Sequence, residues 1–150
     1  MTQMVLIAGP YRSGTGDDPA KLAANERAMH EAALEVFRRG HLPVTGEALA
    51  LPLIRVAAAS AAGPASAKSG AIAASGAPAS AASVASDAPG SPAFDAIFHP
   101  LARRLVARCD AVLRIGGPSA GADEMVAIAR GHGAAVVRDV AELPDAQVRR

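Results

Sequence analysis

The apolar positions of this chain fall into two blocks, separated by a long stretch with almost no large side chains. In the first block, the run MVLIAG (Met4 to Gly9) closes on Gly-Pro. A short apolar run stopped by turn residues suits a strand buried on both faces, as in a parallel sheet. The polar, glycine-rich loop PYRSGTGDDP follows. Asp17 or Asp18 then serves as a helix cap, with Pro19 at the first helical position. Leu22, Met29, Ala33 and Val36 form the apolar stripe of a helix from about Pro19 to Arg39, and Gly40 supplies its stop. HLPV reads as a second, short strand. TGEALALPLIRV stands between a loop and a single helical turn.

Ala57 to Pro92 differs in kind. Of these 36 residues, 32 are Ala, Ser, Gly or Pro, the exceptions being Lys68, Ile72, Val84 and Asp87. Such a segment has little to bury against the entropy of ordering it, and it reads as a flexible low-complexity insertion, 57–92. The blocks on either side, about 1–56 and 93–150, must then pack together across it. Loop-closure entropy rises slowly enough with length to allow this.

From Phe94 the pattern resumes. Phe94, Ile97, Phe98, Leu101 and Leu105 recur at helical spacing, with the main helical run starting at Pro100 and ending near Cys109. DAVLRIGG is strand-like, GADEMVAIARGHG helical and AAVV a further strand. DVAELPDAQVRR reads as a short terminal helix and a frayed tail. The order β-α-β-insertion-α-β-α-β predicts an α/β fold, a Rossmann-like three-layer sandwich on a mainly parallel sheet of four to five strands. The length fits a single domain over 1–150.

Composition removes several functions. Aromatics are 3% of the chain, with no Trp and one Tyr, too few for a base-stacking surface. Net charge is +1, from 15 basic and 14 acidic residues, so there is no basic footprint for nucleic acid. No run of about 18 apolar residues predicts a membrane span. The first residues lack the basic and apolar regions of a signal peptide. The single cysteine, Cys109, precludes an internal disulfide and fits a cytoplasmic protein. His30, His41, His99 and His132 are scattered, without metal-ligand spacing, so neither metal nor cofactor is expected.

The chemistry then concentrates in two loops. Ligands of open parallel sheets bind beyond the carboxyl ends of the strands. GPYRSGTGDD and GGPSAG both leave such ends, and both lead into helices whose first N–H groups favour anions. The first loop is no P-loop, because no Lys follows Gly14 or Gly16, and it lacks the third glycine of a dinucleotide fingerprint. Tyr11 offers a ring and a hydroxyl, and Arg12 a fork for phosphate or carboxylate. In the second loop, Ser119 serves as a helix cap or binds a ligand hydroxyl, and Gly121 permits a sharp entry. Asp123 and Glu124 either suit the helix N-terminus or, for Glu124, supply a carboxylate nucleophile beside a sugar.

Taken in order, IAGPYR, Asn25, GHLPV and CDAVLRIGGPSAGADEMVAIARGHGAAV resemble the nucleoside 2-deoxyribosyltransferase superfamily, most closely its small DUF4406-type members. The resemblance covers both blocks and skips the insertion. It implies a pocket for a nucleoside or nucleotide, with Tyr11, Asp110 and the loop glycines as the matching positions; together with the loop chemistry above, the expected ligand-binding residues are Gly9, Tyr11, Arg12, Asp110, Gly116, Gly117, Ser119 and Gly121. It implies a homodimer or larger homo-oligomer, and transfer or hydrolysis of an N-glycosidic bond by a Glu in a G-x-x-x-E-x-x-x-A pattern. Here Met125 stands at that position and Glu124 one place earlier, a rotation of about 100° on a helix. Leu101 stands where a helper carboxylate is expected nine residues before Asp110. Two readings follow: an N-glycosidic transferase or hydrolase using Glu124, or a binding module that kept the pocket and lost the carboxylates.

Overall fold

The computed structural model describes residues 1–61 and 92–146. In chain order the elements are β1 (Met4–Ala8), α1 (Pro19–Arg38), β2 (Leu42–Thr45), α2 (Gly46–Ala61), α3 (Pro92–Val106), β3 (Ala111–Arg114), α4 (Ala120–Gly131), β4 (Ala135–Val137) and a 3-10 turn (Val140–Glu142). By backbone proximity the described residues fall into two compact units, one within Met1–Gly46 and Ala102–Arg150, the other within Glu47–Leu101.

The first unit holds the four-stranded sheet, in the order β2-β1-β3-β4, with every neighbouring pair parallel. Val5 stands beside Ala111, and Ile7 beside Leu113, which in turn stands beside Val137. Side chains alternate across a strand, so Val5, Ile7, Ala111, Leu113 and Val137 share one face. That face packs with Met29 and Val36 of α1 and with Val140 and Leu143 beyond β4. Leu6, Ala8 and Val112 face the other way and are equally buried. Helix α4 lies against β1, β3 and β4, with Ala122, Met125 and Ala129 buried. Helix, sheet and helix make the three layers of an α/β, Rossmann-like arrangement. Covering β1 on both faces explains why its sequence is an unbroken apolar run rather than an alternating one.

Helix α1 begins as its sequence dictates. Asp18 accepts a hydrogen bond from the Ala20 N–H at 2.9 Å, and Pro19 follows at the first position. Asp17 does not cap; it lies in the left-handed region at φ 61°.

In the second unit, the stretch expected to be mostly loop is α2, and it runs through Pro52. Ala50, Leu51 and Ile54, at helical spacing, are its buried positions, and their burial outweighs the hydrogen bond the proline forgoes. The helix continues over Ala57–Ala61, residues assigned from sequence to the flexible insertion. Pro92, the last residue of that insertion, opens α3; the remainder, 62–91, lies outside the described residues. Helix α3 therefore starts eight residues before Pro100, where the sequence places its main run. The Phe94 and Phe98 rings, one turn apart, stack at 4.6 Å with 12° between their planes. That pair supports the turns ahead of Pro100. Burial raises the Glu47 carboxyl above its ordinary range, with a backbone hydrogen bond acting in the opposite direction.

Residues Gln3 and Pro144 of the first unit meet at His41, which is 3% exposed. Its Nδ1 accepts from the Gln3 N–H at 3.1 Å, so Nε2 carries the proton and donates to the Pro144 carbonyl. Nearby, Arg39 Nη1 donates to Leu143 O and Asp145 Oδ1, both at 3.2 Å, and the Ala146 N–H returns to Arg39 O at 3.0 Å. Replacing His41 with Leu removes the partner of the Gln3 N–H and of the Pro144 carbonyl, in hydrogen bonds that are part-buried. Chemical denaturation of His41→Leu is expected to show a loss of about 1–3 kcal/mol relative to wild type.

Candidate functional site

Strand order decides where the two loops meet. From β1 the chain crosses through α1 to β2 on one side, whereas β3 pairs with the other side of β1. The order reverses between β1 and β3, so their carboxyl ends form a topological switch point. Residues 9–18 and 115–119 leave from these two ends.

Contacts hold the loops side by side. The Ile115 N–H extends the ladder to Ala8 O at 2.9 Å. Gly9 lies so close to its neighbours that an added Cβ would sit 3.0 Å from Ile115 Cγ1 and 3.3 Å from Met29 Cγ. Gly116, at φ 71°, leaves an added Cβ 2.7 Å from Pro10 Cδ. Ser13 Oγ and Ser119 Oγ are 3.3 Å apart, across the two loops. Ser119 is also the cap of α4, accepting from the Ala122 N–H at 3.3 Å, and is 7% exposed. An added Cβ at Gly117 or Gly121 would meet nothing within 4 Å.

The first loop is internally built. Thr15, 3% exposed, donates its hydroxyl to Arg12 O at 2.7 Å and accepts from the Asp17 N–H at 3.3 Å. Arg12 Nη2 donates to Asp17 Oδ1 at 2.8 Å, with the arginine side chain 11% exposed. The left-handed backbone of Asp17 thus belongs to a knot that fixes the Arg12 guanidinium. Asn25 Nδ2 reaches back from α1 to Tyr11 O at 3.0 Å. Tyr11 itself is half-buried against the core around Met29 and Ile7.

In the second loop, Arg114 at the end of β3 is the organising side chain, 14% exposed. Its Nε donates to Asp123 Oδ1 at 2.9 Å, Nη1 to Ile115 O, and Nη2 to Gly117 O at 2.9 Å. Asp123 is therefore an anchor for Arg114 as well as a favourable charge in the first turn of α4.

Glu124 takes another direction. Its Oε1 accepts from Arg103 Nε at 3.2 Å and Nη2 at 2.9 Å, in the last turn of α3. The Glu124 side chain is 31% exposed and that of Arg103 64%. Met125, at the position where the resembled pattern has its nucleophile, is buried among core residues. One residue of helix rotation separates a side chain turned to the core from one turned to α3.

Asp110 is displaced from the site that the sequence reading gives it. It precedes β3, whereas the loops follow the strands, so it lies at the amino edge of the sheet. There its Oδ2 accepts from the Met4 N–H at 2.8 Å, while its own N–H donates to Met4 O at 2.9 Å. This two-point clasp starts the β1–β3 pairing. The neighbouring Cys109 is buried, and its thiol donates to Leu105 O at 3.3 Å. Burial first, and then the Asp110 charge, push this thiol up to about 11.

The structure therefore brings together Gly9, Tyr11, Arg12, Gly116, Gly117, Ser119 and Gly121 around one strand edge, and it leaves out Asp110. Ser13, Thr15, Asp17, Arg103 and Arg114 are additions. Their roles depend on partners whose proximity single-sequence patterns do not reveal. Among the described residues, no group of three or more His, Cys, Asp or Glu is arranged to hold a metal ion. No helix among them is long and apolar enough to cross a membrane. An open hollow of about 530 Å³ lies on α1, lined by Ala23, Glu26, Arg27, His30, Glu31 and Leu34. Those residues sit along one helix, without the converging loops and backbone groups of the strand edge, and we do not take it as the site. Comparison with family models, with curated proteins and with solved structures finds no match for this chain.

Two substitutions test this geometry. Gly116→Ala meets both a left-handed backbone and Pro10, whereas Gly14→Ala, at φ 75°, meets only the backbone cost. Thermal unfolding should rank Gly116→Ala as the more destabilising, by about 1–3 kcal/mol beyond Gly14→Ala. For Cys109, a raised thiol pKa means a protonated, unreactive sulfur at neutral pH. Thiol labelling at pH 8 should stay slow in the folded protein and become rapid in denaturant, where the ordinary value returns.

Proposed function

We propose that the crevice between residues 9–18 and 115–119 binds a nucleoside or nucleotide and that the protein is a binding module without turnover. The observation that supports this most is the joining of the two loops at the switch point, through Ser13 with Ser119 and Pro10 with Gly116. Small residues there let a ligand approach the backbone, while Ser119, Ser13 and Arg12 offer hydroxyls and a guanidinium. The nucleoside identity rests on the resemblance of the loop sequences, which also implies a cytoplasmic homodimer or larger homo-oligomer. Binding without chemistry is favoured by the carboxylates: Glu124 is bound to Arg103, and Met125 occupies the nucleophile's position in the resembled pattern.

A second reading draws on Glu124 itself. The carboxylate stands on α4, the helix that starts at the crevice, and its partner Arg103 is largely exposed. Exposed pairs of this kind are worth only about 0–1 kcal/mol and open readily. A released Glu124 would attack the anomeric carbon, form a glycosyl ester and expel the base with its bonding electron pair, the base taking up a proton. Water or a second base would then resolve the ester.

The two readings separate in one experiment. The common 2′-deoxynucleosides and their 5′-monophosphates are incubated with the protein, and thermal shift and free base are followed together. A ligand at 100 times its Kd stabilises by about 2.7 kcal/mol. Stabilisation without base release is the expected outcome. Base release that disappears in Glu124→Gln would replace the binding module with the enzyme. Neither response across the panel would overturn both.

A further inference from the structure

Arg114 spends each of its guanidinium nitrogens on a separate acceptor: the Asp123 carboxylate on α4 and the carbonyls of Ile115 and Gly117 in the second loop. With Nε, Nη1 and Nη2 all engaged by α4 and the second loop, its guanidinium serves the loop rather than a ligand. Its effect on the loop is directional. The peptides here are trans, and in a trans peptide the carbonyl and the next N–H point in opposite directions. Holding the Ile115 carbonyl on the guanidinium turns the Gly116 N–H away from it. The Gly117–Pro118 peptide has no N–H, and its carbonyl is held in the same manner. Gly116 is also the residue that abuts Pro10 of the first loop, so its backbone sits at the junction of the two loops.

We infer that Arg114 is the positioning residue of the crevice, withdrawing the Ile115 and Gly117 carbonyls from it and presenting the Gly116 N–H to an electron-rich ligand group. The inference deepens the proposed function and rests on it for the ligand, but the orientation of the loop is measurable without one. Lysine keeps the charge at 114 and loses the fork, because one ammonium does not reproduce a planar three-nitrogen clamp. Asp123→Ala removes a single anchor and leaves both carbonyl contacts in place.

Amide hydrogen exchange and binding of the 2′-deoxynucleoside and 5′-monophosphate probes are measured on wild type, Arg114→Lys and Asp123→Ala. In Arg114→Lys, exchange across residues 115–119 is expected to rise by about tenfold or more while Leu6 and Val112 stay protected. Probe affinity should fall by about tenfold or more, as expected when a preorganised loop loosens. Asp123→Ala should give a smaller change in the same direction, and it carries the test if Arg114→Lys does not fold. Unchanged exchange in the loop would overturn the inference. So would exchange that rises equally in the strands, which would mark Arg114 as an ordinary structural residue, or looser loop amides with unaltered affinity. A wild-type protein that binds no probe would sink the ligand reading and with it the positioning role, whereas the exchange measurement alone would still decide whether Arg114 orders the loop.

Discussion

The parallel pairing of β1 with β3 brings together two stretches more than a hundred residues apart in the chain. Val5 lies against Ala111 and Ile7 against Leu113, and the ladder is closed at one end by the Asp110–Met4 clasp and extended at the other by Ile115 on Ala8. Without this pairing there would be no core face for Met29 and Val36, and the loops that leave the two strands would not be neighbours. The site is thus a consequence of strand order. Serine from one loop meets serine from the other because their strands are adjacent, and Gly116 must be small because Pro10 lies against it.

The carboxylates show how an α/β scaffold divides similar residues among different tasks. Asp18 and Asp139 cap helical turns, Asp17 fixes Arg12, Asp123 anchors Arg114, Asp110 clasps a strand and Glu124 pairs with Arg103. What separates them is the element each one faces. For Glu124 that element is α3, so the geometry bears directly on whether the side chain serves chemistry.

Much of the fold was legible in the chain. The MVLIAG run, the stripe of Met29 and Val36, and the Asp18-Pro19 start each encode their element locally, through burial periodicity and cap chemistry. Strand positions such as HLPV and AAVV were displaced by no more than a residue at either end. Helices α2 and α3 were less legible: TGEALALPLIRV stands between loop and helical turn, and Pro100 reads as a helix start, whereas α2 runs on through Pro52 with Ile54 buried and α3 begins at Pro92 with Phe94 stacked on Phe98. Of the site, the glycines and Ser119 were visible because turns and caps have local signatures. Arg103 and Arg114 were not, since an arginine reveals its function only through its acceptors. Asp110 was misplaced for a related reason: a residue beside a strand belongs to one edge of the sheet or the other, and only the direction of the strand decides which.

The ring of His41 ties a further feature to this sheet. It holds the Gln3 amide on one nitrogen and the Pro144 carbonyl on the other, so these two backbone atoms lie within about 8 Å of each other by the lengths of the bonds involved. Residues near the two ends of the described chain therefore occupy one place on the molecule. The first unit is in effect a ring closed by an imidazole, and a short covalent bridge could replace the noncovalent one without lengthening any path through the sheet.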